Sequence, residues 1–389
     1  MSSRIAARMA TGLALLGLVA ACGSATVPAH HAAASADVPA ASLDTSVASG
    51  AGTWATVVMG GSAAQYNNFW QLFINPAGTS QWKLITPPGT ADNGGLVLAV
   101  GGGQSLITAF RPSQLLTFTP LSQTDDAGQA WSAISPLDAA LAATPAAMAQ
   151  QPGGDRLLAL TTDGVAEEAA IGSSGWHVVA TERTIAGTPA GRRCGLVALT
   201  AAAWTPTGQP LLAGTCTRAG AVGVFRYDAG TWQAAGPALP ASVGAQHVTG
   251  VQLETDGSQT VALVTTAAGQ SASLVAAWTS NQGTSMWTTS APLRLHGPAP
   301  ASASFGPGGA IGVITASGAG DLITSDGSSW RALPALPART TTLALLPDGA
   351  VEALTVRASK LTVWQLQPGA ATWAAQQIIN VPIQYGSSS

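Results

Sequence analysis

The chain has 389 residues, of which only 8% are charged, with 45 glycines and 24 prolines. That length suits one large core and excludes a small stapled scaffold. Past residue 21 it carries 13 basic residues against 18 acidic ones, a net of −5, which argues against nucleic acid as a partner.

The first element in chain order is a targeting segment. Arg4 and Arg8 form a positive n-region, and Met9 to Ala20 is an apolar run too short to span a membrane. The run ends in Val19-Ala20-Ala21-Cys22, which resembles the lipobox of bacterial lipoproteins. The resemblance implies removal of residues 1–21, lipidation of Cys22 and a protein anchored at the extracytoplasmic face of the cell membrane. Two acyl chains hold stably where one is marginal. Residues 22–52 are rich in Ala, Ser and Pro without an apolar period, and are expected to be a flexible tether.

A repeat follows. Trp82, Trp131, Trp176, Trp232, Trp287, Trp330 and Trp373 are spaced by 49, 45, 56, 55, 43 and 43 residues, each after a Gly-bearing turn. Such a period marks a four-stranded blade repeated around an axis. The expected fold is therefore all-β: a seven-bladed propeller of antiparallel four-stranded blades over residues 53–386, with 387–389 as a tail. The third repeat is the clearest, with strands over 146–151, 156–162, 165–171 and 176–182 separated by Gly and Asp turns. The seventh has the same layout over 340–346, 350–357, 361–366 and 372–379. The first counts only three strands, over 54–59, 69–74 and 81–85, so a C-terminal strand over 380–385 is expected to join it and close the ring. The Trp series is expected to pack between blades, and Trp204 is the better placed to stack on a sugar.

Cys194 and Cys216 are the remaining cysteines, set to open one strand and close the next around a turn near residues 205–208. In an exported protein that placement predicts a disulfide. No further Cys or His stands at ligand spacing, so neither a metal nor another cofactor is expected.

Thr124-Asp125-Asp126-Ala127-Gly128-Gln129-Ala130-Trp131 matches the Asp-box, and Thr324 to Trp330 repeats it one residue short with Asp326 and Gly327. Through these motifs the chain resembles the sialidase-like, BNR-repeat propellers over about residues 53–386. The resemblance implies a structural role for Thr124, Asp126, Gly128, Trp131, Asp326, Gly327 and Trp330 in turns away from any active centre. Enzymatic members need an arginine cluster, a Tyr with an acidic partner and an Asp acid/base. Phe110-Arg111-Pro112 resembles their arginine element but lacks its Ile, and Tyr227 falls on the wrong face.

In such a meander the first-to-second and third-to-fourth strand turns share one face. Asp125, Asp126, Asp155, Asp228, Asp256, Asp326 and Asp348 fall there. Arg111, Arg183, Arg192, Arg193, Arg218, Arg294, Arg339, Arg357 and Lys360 fall on the other, with Asp92, Asp138, Asp163 and Asp321 as its main acids. Asp is a good turn residue, which accounts for the first set but not for the second. The arginines form a candidate anion-binding mouth. The functional expectation is a non-catalytic binding or scaffold module, monomeric, taking an anionic glycan, an envelope polymer or a protein partner. The alternative is an exo-acting glycoside hydrolase or other extracellular hydrolase, which requires two carboxylates at catalytic separation in the axial funnel.

Overall fold

A computed structural model of the chain describes residues 40–49, 52–60, 68–76, 78–87, 96–100, 105–110, 119–137, 145–173, 175–256, 258–280, 283–357 and 360–380. They form seven antiparallel sheets, each pairing consecutive strands in chain order. Blade one is β1 (Ala40–Ser49), β2 (Gly52–Gly60), β3 (Asn68–Pro76) and β4 (Lys83–Leu84). Blade two is β5 (Leu96–Val100), β6 (Leu106–Phe110), β7 (Thr119–Thr124) and β8 (Ser132–Leu137). Blade three is β9 (Ala147–Gln150), β10 (Arg156–Leu160), β11 (Val165–Ala170) and β12 (His177–Thr181). Two short helices follow, α1 (Glu182–Ala186) and α2 (Pro189–Cys194). Blade four is β13 (Leu196–Trp204), β14 (Pro210–Cys216), β15 (Gly223–Asp228) and β16 (Thr231–Ala234). Blade five is β17 (His247–Thr255), β18 (Thr260–Ala268), β19 (Ser271–Ser280) and β20 (Gly283–Thr289), with β21 (Leu293–Leu295) beside β19. Blade six is β22 (Ser302–Phe305), β23 (Ile311–Ile314), β24 (Gly320–Ile323) and β25 (Arg331–Ala332). Blade seven is β26 (Thr340–Leu345), β27 (Val351–Arg357), β28 (Lys360–Leu366) and β29 (Ala374–Asn380).

The protein is a seven-bladed β-propeller. Its core is not one mass but seven apolar layers, one at each blade junction. Strand alternation builds them. In β10, Leu157 and Ala159 face blade two, while Leu158 and Leu160 face blade four. A fully buried Leu contributes about 1.5–3 kcal/mol, so each junction is a substantial contact.

Blade one differs from expectation. The strand it lacked is β1, which pairs with β2 and lies within the stretch expected to be tether. On its other side β1 packs against β26 of blade seven. The place foreseen for a C-terminal strand is thus taken from the N-terminal side, and residues 381–385 lie outside the described residues. Alternation in Ala40–Ser49 is weak because two register shifts break its pairing, at Ala40/Leu43 and Leu43/Ser46.

The Asp-box of blade two is a hydrogen-bonded turn. Asp126 Oδ1 accepts from Thr124 Oγ1 at 2.8 Å and from the Ala130 main-chain N–H at 2.9 Å. Those two donors, the Ala130 amide first, hold its carboxyl below the usual range. Gly128 sits at φ 83°, and a Cβ there would meet the Ile85 side chain at 2.7 Å, so only glycine fits. In blade six, Gly327 N donates to Thr324 O at 2.9 Å and closes a shorter turn. A second turn recurs that the Asp-box pattern does not include. A Thr hydroxyl accepts from the main-chain N–H four residues on in Thr161–Val165, Thr205–Gln209 and Thr315–Ala319.

Candidate functional site

Most of the turn aspartates fall on one face and the loop arginines on the other, although Asp163, between β10 and β11, and Asp321, at the start of β24, share the arginine-bearing face. Asp155, Asp256 and Asp348 lie in first-to-second strand turns; Asp125, Asp126, Asp228 and Asp326 lie at third-to-fourth turns. Arg183, Arg192 and Arg193 lie in α1 and α2, which link blade three to blade four. Arg218 follows β14, and Arg339 precedes β26 with φ 67°. Arg111 and Cys22 lie outside the described residues.

The densest basic group is built by the helical insert. Thr181 and Thr188 cap α1 and α2 by accepting from Thr184 N at 3.1 Å and Gly191 N at 3.0 Å. Pro189 at the first turn of α2 fits a helix start. Gly191 lets the helices touch, since a Cβ there would lie 2.0 Å from the Ile185 carbonyl oxygen. Cys194 is the last residue of α2, not the first of a strand, and Cys216 ends β14. They form a disulfide with a Cα–Cα distance of 5.3 Å. The staple brings the Arg192-Arg193 pair beside Arg218, whose Nη1 donates to the Arg193 carbonyl at 3.2 Å. Arg192 donates to the Gly187 carbonyl. All three guanidinium-bearing residues are exposed.

Two other expectations move. Arg294 sits on β21, which pairs with the outer side of β19, so it lies at the rim of blade five and not at an axial mouth. Trp204 is fully buried: its indole N–H donates to Ala149 O at 2.9 Å, and the Arg156 guanidinium lies 6.0 Å from its ring centre. Arg156 also pairs with the buried Glu168. Core packing with a satisfied N–H leaves no face for a sugar. Asp321 lies on β24, half-buried, and burial raises its pKa. Among the described residues, no group of three or more His, Cys, Asp or Glu converges as a metal site.

The junction between blades one and seven joins side chains far apart in the chain. Trp82 Nε1 donates to Glu352 Oε2 at 2.7 Å, and Asn75 Nδ2 reaches the same oxygen at 3.5 Å. Gln377 binds the Trp82 main chain twice, accepting from its N–H at 2.7 Å and donating to its carbonyl at 3.1 Å. Glu352 is fully buried, and its Oε1 has no hydrogen-bond partner among the described residues. Desolvation pushes its pKa up to about 7 against the two donors, with the Asp348 charge adding to the rise. Beside this clasp, on the aspartate-bearing face, a cavity of about 410 Å³ opens between the two blades. The only sequence signal was an acidic residue inside the apolar run Val351-Glu352-Ala353-Leu354.

Fold and site define the protein as a β-propeller with polar features on both faces. No protein-family description matches the chain, and neither does any curated protein. Among solved structures, a protein from Lactobacillus plantarum is similar at TM-score 0.52 and 14% identity, over 82% of this chain and 93% of that one. The GH74 xyloglucanase from Xanthomonas campestris is similar at TM-score 0.51 and 13% identity, over 87% of this chain and 56% of that one. At such identities the likeness concerns the fold alone.

Proposed function

We propose that the chain is a lipid-anchored binding module of the cell surface, whose arginine-bearing face takes an anionic glycan or envelope polymer. The supporting observation is the grouping of Arg192, Arg193 and Arg218 on one disulfide-held element. Pre-organised guanidinium groups bind carboxylate and phosphate in forked pairs. The lipid anchor rests on the Val19–Cys22 motif, and the Asp-box turn supports kinship with the BNR-repeat propellers.

Binding to an array of anionic and neutral glycans tests the first reading. The Arg192→Ala/Arg193→Ala/Arg218→Ala variant is expected to lose about tenfold or more in affinity for anionic members. Binding that ignores the triple change and the salt concentration would sink it. Metabolic labelling with an alkyne fatty acid tests the anchor: Cys22→Ser is expected to abolish the label.

A further inference from the structure

The cavity between blades one and seven has mixed walls, with Pro76, Leu346 and Pro347 supplying the apolar part. Side-chain amides of Asn75, Gln365 and Gln367, hydroxyls of Thr79 and Ser80, and the Asp348 carboxylate line it. No Lys or Arg is among the lining residues. Two of the amides are not surface decoration, since Asn75 is 3% exposed and Gln365 is 7% exposed.

Their hydrogen bonds are only partly used. Gln365 Oε1 accepts from Gln367 Nε2 at 2.8 Å, and the Gln365 amide nitrogen has no acceptor among the described residues. Asn75 Oδ1 accepts from Thr79 Oγ1 at 3.2 Å, while its nitrogen points to Glu352. The spare Gln365 donor faces the open cavity, where a ligand group can take the place of water. Asp348 in the wall and the Glu352 carboxyl behind Asn75 disfavour an anion. A ligand whose groups both donate and accept, without net charge, suits such walls; adjacent sugar hydroxyls are of that kind. The volume falls within the range of small-molecule sites and holds one or two sugar rings.

We propose that this cavity is a binding site for a neutral saccharide of one or two rings, held by Gln365, Gln367, Asn75 and Asp348. It lies on the face opposite the arginine group and does not depend on what that group binds. A ligand there touches both the first and the last blade, so occupancy stabilises the closed ring.

Saturation-transfer NMR and thermal melting of the full chain with cellobiose, maltose, mannobiose and N,N′-diacetylchitobiose test the site. At least one of these is expected to show transfer from the protein and to raise the melting temperature. The Gln365→Ala/Gln367→Ala variant is expected to weaken that saccharide about tenfold. Because Gln365 is buried, Gln367→Ala alone, at an exposed position, serves as the second variant, with a loss of a few-fold. The proposal is overturned if no member of the panel binds. It is equally overturned if affinity is unchanged in the variants that fold, or if galacturonate binds more tightly than its neutral counterparts.

Discussion

Four junctions between consecutive blades are held by a tryptophan of the repeat whose indole reaches back to main chain, whereas at the junction of blades seven and one the repeat's indole reaches a carboxyl. Trp131, Trp287, Trp330 and Trp373 donate to the carbonyls of Ile85, Ala235, Ala291 and Pro334 at 3.0, 2.7, 3.1 and 3.4 Å. Each acceptor lies three or four residues after the preceding blade's own Trp. The chain itself therefore presents it, whatever side chain stands there. At the seam the corresponding position is Gln377, four residues after Trp373, and it grips the Trp82 main chain with its side chain. The Trp82 indole is left to Glu352 on β27. A continuous chain thus provides neutral acceptors that mutation cannot remove, while a seam between distant segments relies on side chains, one of them ionisable.

The largest expected effect comes from removing the seam's indole. Trp82 is 2% exposed and packs with Phe73, Leu354 and Val363. Trp82→Ala is expected to lower unfolding free energy by about 3–5 kcal/mol, read from urea midpoints. It also strands the Glu352 carboxyl. If Trp330→Ala, at a half-exposed internal junction, costs as much, the contrast between seam and interior fails.

Next comes pH. The carboxyl of Glu352 has a folded pKa near 7 against an ordinary value of 4.5, so the native state holds its proton more tightly than the unfolded chain does. Its stabilising effect is complete below pH 4.5 and is lost as pH rises through 7. Wild-type stability should fall by about 3 kcal/mol across that window, and Glu352→Gln should flatten the fall. Glu254, which burial also raises to about 7, contributes a separate part that the substitution leaves. Identical pH profiles for wild type and Glu352→Gln would refute the role of this carboxyl.

Smaller effects sharpen the picture. Gln377→Ala removes both bonds to the Trp82 main chain and should cost about 1–2 kcal/mol. Trp330→Phe removes one indole bond at an internal junction and should cost about 0.5–1 kcal/mol in the same urea assay. A reversed order of these two would mean that the seam's polar bonds add little to its apolar layer.

Much of this architecture was legible in the residues. The Trp spacing predicted seven blades, and the strands of blades three and seven fall within a residue or two of their expected bounds. The reason is physical: a tight turn needs Gly or Asp, and each blade edge needs an indole. β1 was not legible, because small residues and a shifting register blur its alternation. The helical insert carries start signals, Thr181 and Thr188-Pro189, but its Gly, Thr and Arg content equally suits a loop ahead of a strand opened by Cys194. Trp204 misled because its indole N–H is satisfied by Ala149, a residue in another blade. The side-chain pairing at the seam was legible only as an acid inside an apolar run, since Trp82 and Glu352 are 270 positions apart.

The backward reach of Trp131, Trp287, Trp330 and Trp373 gives the ring a direction in time. Wherever the indole and its acceptor belong to consecutive blades, a blade emerging from the ribosome can fasten itself at once to the one made just before it. Blade one has no predecessor. Its indole waits through the synthesis of almost the whole domain, and the last strands to be made decide whether the first are kept.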